Sequence, residues 1–331
     1  MKKFKYLQVV LVLIMLSFTV ADCKKGKSAA DQNIDYRQEM RNFIFNIGSY
    51  SKSFDSNFMI IPQNGQELIT DNGEADGKMQ DSYVKSVDAT GREDLFYGFS
   101  QDDQPTPEAE NQHMLSLCLL CEQHGVQVMT TDYCSTHSKM DYSYQVNDQN
   151  AFISFAASDR NLSTVPDYPA TPFHVNSENI VNVSQAKNFL YLINSVNFAT
   201  KSEFITAVSA TDYDLIVMDL FHNEVAYTKN EIEQLKTKHN GGKRLAVCYL
   251  SIGEAENYRY YWQPTWNTNN PAWLEKENPA WPGNYKVRYW DKTWQNIIYG
   301  NNDTYLKKII DAGFDGVYLD VVDAFEYFEE K

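Results

Sequence analysis

Gly313-Phe314-Asp315-Gly316-Val317-Tyr318-Leu319-Asp320-Val321-Val322-Asp323 reads as a turn, a short buried strand and two carboxylates at the strand's C-terminal end. In a (β/α)8 barrel that end of every strand belongs to the catalytic face, so a strand-end Asp there is a catalytic candidate. Side chains alternate along a strand. Val317, Leu319 and Val321 therefore share one face, and Gly316, Tyr318 and Asp320 the other. With the aliphatic face under helices, Tyr318 and Asp320 point into the barrel mouth. The outer face needs a covering helix, and only Ala324–Lys331 follow. The helical pattern of Asp35–Tyr50 is expected to complete that cover.

Upstream, strands and helices alternate with no linker rich in Pro, Gly or Ser, the pattern of a parallel α/β architecture. Candidate strands are Phe58–Pro62, Tyr83–Val87, Val126–Thr130, Ala151–Ala156, Phe189–Val196, Asp214–Asp219, Arg244–Leu250, Tyr285–Trp290 and Gly316–Val322. Helical patterns include Lys229–Lys238 and Thr304–Ala312. Nine strands exceed the eight of a barrel, so one is peripheral. In Leu215–Asp219, the residues Leu215, Val217 and Asp219 share a face.

A chain of 331 residues with 43% hydrophobic and 14% aromatic content has the material for one large core. Its opening residues read differently. Lys2, Lys3 and Lys5 precede an apolar run, Tyr6 to Val20, of secretory-signal length and too short to span a membrane comfortably. Val20-Ala21-Asp22-Cys23 resembles a bacterial lipobox, whose Cys is acylated. The expected organisation is a signal peptide over 1–22, a polar tether over 23–35 and a single domain over 36–331. The expected product is an exported lipoprotein, periplasmic or on the cell surface, that meets the membrane only through the lipid on Cys23.

The formal charge is −15, and the three lysines and Asp22 of residues 1–22 leave about −17 on the remainder. That argues against nucleic acid as a partner. Cys118, Cys121, Cys134 and Cys248 show no metal-ligand spacing, and buried free thiols are expected. There is no Gly-rich phosphate cradle, no G-x-S-x-G and no H-E-x-x-H, so no cofactor or metal is expected. His222, just past Asp219, reads as a mouth-lining residue or as a satisfied surface side chain, the second favoured.

Several uncommon words occur together. Ser251-Ile252-Gly253-Glu254-Ala255-Glu256 with Tyr258-Arg259, then Asn278–Tyr285, then Val287-Arg288-Tyr289-Trp290-Asp291, then the Asp320 segment, resemble glycoside hydrolase family 114, the endo-α-1,4-polygalactosaminidase-like barrels. Ile60-Ile61-Pro62-Gln63-Asn64-Gly65, Gly91–Tyr97 and Val128–Tyr133 resemble segments that this family places after the Asp320 strand, whereas here they come first. The resemblance thus implies a circularly permuted (β/α)8 TIM barrel, its ends meeting in one split surface helix. A cut within a surface helix leaves most packing intact.

Glycoside cleavage commonly uses two carboxyl groups across the scissile bond. The resemblance implies that Asp320 and Glu93 serve this pair, with Asp320 as nucleophile, Glu93 as acid/base, and retention of configuration. Asp219, Glu254, Asp291 and Asp132 each close a strand and are candidate substrate contacts, with Glu256 just beyond one. An acidic rim suits a cationic amino-sugar polymer. Gln63 and Asn64 are candidate hydroxyl-binding amides, and Tyr249 and Tyr318 candidate strand-borne contacts. All six Trp lie between 262 and 294, with Tyr258, Tyr260, Tyr261, Tyr285 and Tyr289 in the same stretch. Aromatic faces there can bind sugar rings or pack on one another; Tyr289 and Trp290, flanking Asp291, are the candidate site walls. The expected protein is a monomeric polysaccharide hydrolase. The alternative is a carbohydrate-binding lipoprotein that keeps the cleft without turnover.

Overall fold

Eight strands in parallel pairings organise the described residues, 34–331 of the computed structural model, of which Asp35–Lys331 form one compact unit. They are β1 (Met59–Pro62), β2 (Ala89–Glu93), β3 (Gln127–Tyr133), β4 (Ile153–Ala157), β5 (Phe189–Leu192), β6 (Leu215–Met218), β7 (Leu245–Ser251) and β8 (Gly316–Asp320). One sheet has the order β1-β8-β7-β6-β5 and a second has β2-β3-β4. The fold is therefore mixed α/β with a five-stranded parallel sheet. Gln63, just past β1, bridges Gly91 of β2 in parallel fashion. On the other side, Phe155 of β4 packs on Phe189 of β5 with ring centroids 5.7 Å apart.

Strands β6 and β7 are buried along their whole length, which their unbroken aliphatic runs require of a sheet covered on both faces. The helices are α1 (Tyr36–Lys52), α2 (Asp81–Val84), α3 (Glu108–Gln123), α4 (His137–Gln149), α5 (Lys201–Ser209), α6 (Lys229–Leu235), α7 (Lys292–Ile298), α8 (Tyr305–Ala312) and α9 (Ala324–Glu329). Helix α8 buries Tyr305, Leu306, Ile309 and Ala312, an i, i+1, i+4, i+7 stripe, and stops at Gly313 with φ 85°. That turn feeds β8 directly.

Helix α1 starts at Asp35, whose side chain accepts from Gln38 N, and buries Met40, Phe43, Ile44 and Ile47. It packs against α9: Tyr36 meets Phe328 with centroids 5.6 Å apart, and Arg37 Nε lies 3.0 Å from Glu329. Arg37 also stands over the Phe325 ring. The two stretches expected to share the cover of β8 are thus neighbours in space.

One strand expectation is corrected. Tyr83–Val87 is not a strand; Asp81–Val84 is a helical turn, and the strand is Ala89–Glu93. Its sequence, Ala-Thr-Gly-Arg-Glu, has no aliphatic run because its inner face is shaped by a neighbour: a Cβ on Gly91 would stand 1.9 Å from Tyr318 Oη. Tyr285–Trp290 is the peripheral candidate. Asn284–Val287 pairs antiparallel with Glu254–Glu256 and Leu274–Glu277 in a small separate sheet. Cys118, Cys121, Cys134 and Cys248 are buried free thiols. The signal segment and Cys23 lie outside the described residues. Among those described, no helix is long and apolar enough to cross a membrane.

Candidate active site

Strand β8 delivers Asp320 to its C-terminal end. Register pairs Tyr318 with Tyr249 and Asp320 with Ser251, so Tyr249 starts two residues lower on β7 and reaches upward. Its hydroxyl donates to Asp320 Oδ2. Burial pushes the Asp320 carboxyl up to about 7, and the nearby charge of Glu93 adds to this, while the Tyr249 hydrogen bond works against it. Val321, next in the chain, has φ 58°, a rare conformation for a β-branched residue. This sharp turn brings Asp323 to the same cleft as Asp320. Burial and the charge of Asp320 push Asp323 up to about 8.

Strand β2 delivers Glu93. Tyr133 at the end of β3 donates its hydroxyl to Glu93 Oε1, and Asn64 Nδ2 donates to Oε2 at 2.9 Å. The Glu93 backbone N–H donates in turn to Asn64 Oδ1 at 3.0 Å. Asn64 can make both contacts because it turns left-handed, φ 53°, a conformation that Asn tolerates. Asn64 and Tyr133 hold the carboxyl in one orientation.

Asp320 and Glu93 line one cleft of about 1250 Å³, above the roughly 300–1,000 Å³ of small-ligand pockets and suited to an extended ligand. Gln63, Asp219, Tyr249 and Glu254 line it too. Gln63 is buried and accepts from the Tyr191 hydroxyl at 2.8 Å. Asp219 and Glu256 share one cation, Arg259, at 2.7 and 2.6 Å. Glu254 accepts from Asn278 at 2.9 Å and faces Lys286 at 3.6 Å. The rim acids are therefore largely compensated. The catalytic candidates instead rest on neutral donors, so the cleft's negative character concentrates at its floor.

Aromatic rings form one wall. Tyr258, Tyr260, Trp262 and Trp281 line the cleft, and Trp281 is 53% exposed. Behind them Trp262, Trp266, Trp273 and Trp294 pack in succession, with centroids 5.2, 5.0 and 5.1 Å apart. Trp273 and Trp294 are fully buried, so the aromatic stretch is part platform and part core.

Six expected contacts are corrected. Tyr318 is fully buried beneath the floor, against Tyr191 and Gly91, and points into the core instead of the mouth. Tyr289 is buried and donates to the Tyr36 carbonyl at 2.8 Å, while Trp290 packs on Tyr36 and Phe328, so both belong to the α1–α9 junction. Asp291 caps α7 by accepting from Thr293 N at 2.7 Å. Asp132 is buried and accepts from Phe96 N, Tyr97 N, Ser143 and Asn147, which makes it an internal brace. Asn64 reaches the cleft only through Glu93. His222 is buried, with Nε2 2.9 Å from the Phe198 carbonyl, and is not a surface residue. Tyr133 and Arg160 also line the cleft, and nothing in the local sequence pattern marks either as a site residue. Tyr133 closes a segment quoted for the family resemblance, and only the fold reveals its partner.

Residues 171–331 match the model of glycoside-hydrolase family GH114. The GH114 match contains Asp219, Glu254 and Asp320, and begins after Glu93. An uncharacterized protein of Methanocaldococcus jannaschii is 42% identical over 159 residues, 47% of this chain and 43% of that protein. Uncharacterized proteins of Thermotoga maritima and Deinococcus radiodurans are 40% and 39% identical, over 38% of this chain in each case and 37% and 39% of their own lengths. The chain thus spans about two-fifths of the length of these curated relatives.

Proposed function

We propose that the protein hydrolyses glycosidic bonds of a polysaccharide, with Asp320 and Glu93 as the two working carboxyl groups. The observation that carries this reading is their convergence on one cleft from β8 and β2, far apart in sequence. In this reading the eight parallel strands close into a (β/α)8 barrel, β4 meeting β5 through Phe155 and Phe189, in a circularly permuted order. Asp320 attacks the anomeric carbon, oriented by Tyr249, and Glu93 delivers the proton to the leaving oxygen and later takes one from water, with retention. The nucleophile must be ionised to attack. Burial and the charge of Glu93 push its carboxyl up to about 7, and a substrate ammonium beside it would favour the charged form. This supports an α-linked galactosamine-type polymer as substrate, its neutral faces lying on Trp281, Trp262 and Tyr258. Export as a lipoprotein anchored through Cys23, acting as a monomer without cofactor, completes the proposal.

The test is release of reducing ends from galactosamine polymers and other glycans by the wild type, Asp320→Asn and Glu93→Gln. Release by the wild type alone supports the hydrolase. Binding by all three without release from any overturns it in favour of a carbohydrate-binding lipoprotein.

A further inference from the structure

A closed circuit of contacts surrounds Glu93. Arg160, in the turn after β4, lines the cleft with its side chain one-third exposed. Its guanidinium lies 3.8 Å from the centroid of the Tyr133 ring, whose hydroxyl donates to Glu93 Oε1. The same guanidinium grips Asp94, the residue after Glu93, from Nη2 at 2.9 Å and Nη1 at 3.4 Å. It also donates to the Gly98 carbonyl at 2.9 Å and to Asp102 at 2.6 Å. The path Glu93–Asp94–Arg160–Tyr133 thus returns to Glu93.

The backbone is shaped for this circuit. Asp94 has φ 59°, which turns its carboxylate away from the strand and toward Arg160. Gly98 has φ 115°, and a Cβ there would stand 2.1 Å from Asp94 Oδ1 and 2.8 Å from Arg160 Nη2. Only glycine leaves room for the fork to close. A planar guanidinium can stack on a ring and bind a carboxylate in two places at once, which an ammonium cannot.

We propose that Arg160 is a positioning residue for glycoside cleavage: by gripping Asp94 and covering Tyr133, it fixes the Glu93 carboxyl toward the cleft. This rests on the role given to Glu93 above. The groups facing Asp94 are Arg160, Glu93 and Asp132; burial pushes its carboxyl up to about 6 despite Arg160. As pH falls through about 6, Asp94 takes up a proton and the grip weakens from that side, while Asp102 and the Tyr133 ring still hold Arg160.

The test compares the wild type with Arg160→Ala and Arg160→Lys. The expected result for Arg160→Ala is a kcat lower by about 100-fold, the cost of a small misplacement of a working group, with KM little changed. Added guanidinium ion should restore much of the rate, since the vacated position opens onto the cleft. Arg160→Lys keeps the charge without the stacked fork and should fall between, so it carries the test if the alanine variant does not fold. A loss confined to KM, or full activity in both variants, overturns the proposal. Carbodiimide labelling of Glu93, followed by mass spectrometry, reads the clamp without turnover. Faster labelling in the variants supports the clamp even if the wild type proves inert on every glycan, and unchanged labelling counts against it.

Discussion

The carbonyl oxygen of Val321 faces Gly253 so closely that a Cβ on Gly253 would stand 2.1 Å from it. Val321 is the left-handed residue between the two acids of the β8 turn, and Gly253 is what permits that turn. Backbone held in a sparsely populated region persists only where its surroundings enforce it, and such residues cluster at active sites. The Ser251–Glu256 stretch is therefore tied to Asp320 by geometry as well as by sequence order.

Gly253→Ala is expected to displace the β8 turn, because the opposing atom is backbone and cannot swing aside. Overpacking of this kind costs about 1–3 kcal/mol. Thermal denaturation should give a lower Tm, and reducing-end release should fall more than stability alone explains. A variant with wild-type Tm and activity would contradict the tight contact.

The pH profile should separate the roles of the two carboxyls. With Asp320 raised to about 7, an Asp320 nucleophile gives a rate that climbs as pH rises through about 7. Initial rates measured across pH 5–9 at substrate concentrations below saturation check this. A rate that instead falls through about 7 would make Asp320 the proton donor and Glu93 the nucleophile.

Asp323 offers a separate reading through stability. Its carboxyl is raised from 3.8 to about 8, so the folded state holds this proton more tightly than the unfolded chain does. The resulting stabilisation is full below about 3.8 and fades as pH rises toward about 8. Asp323→Asn mimics the protonated form and removes the titration. The variant should match the wild type at low pH and exceed it at pH 9, by on the order of 5 kcal/mol at about 1.4 kcal/mol per pH unit. Melting curves from pH 4 to 9 measure the difference; equal slopes would refute it.

Tyr318→Phe tests whether the residue is floor or ligand contact. The Tyr318 hydroxyl is buried without a hydrogen-bond partner, an arrangement that costs folding free energy. Its removal should raise Tm by about 2 °C and leave kcat and KM intact. A large rise in KM would return Tyr318 to the substrate.

The sequence was legible where local pattern and tertiary role agree. Strand β8 announces itself by Gly316, alternating aliphatics and a terminal Asp, and β6 and β7 by unbroken apolar runs. Strand β2 is silent because its interior position is a glycine shaped by Tyr318, a residue 227 positions away. Trp290 and Asp291 look like a sugar platform beside an acid. They serve a helix junction and a helix cap because α1 and α9 arrive from opposite parts of the chain. Asp132 shares its strand with residues of the site wall, and its four internal donors become visible only in three dimensions.

The succession of indole rings from Trp262 to Trp294 gives the molecule a native optical readout. Light absorbed at the buried members can migrate along neighbours some 5 Å apart toward the cleft wall. A sugar resting on Trp262 would then alter emission from the whole series, whereas unfolding would expose Trp273 and Trp294 together. Ligand occupancy and loss of structure should leave different spectral signatures in the unlabelled protein.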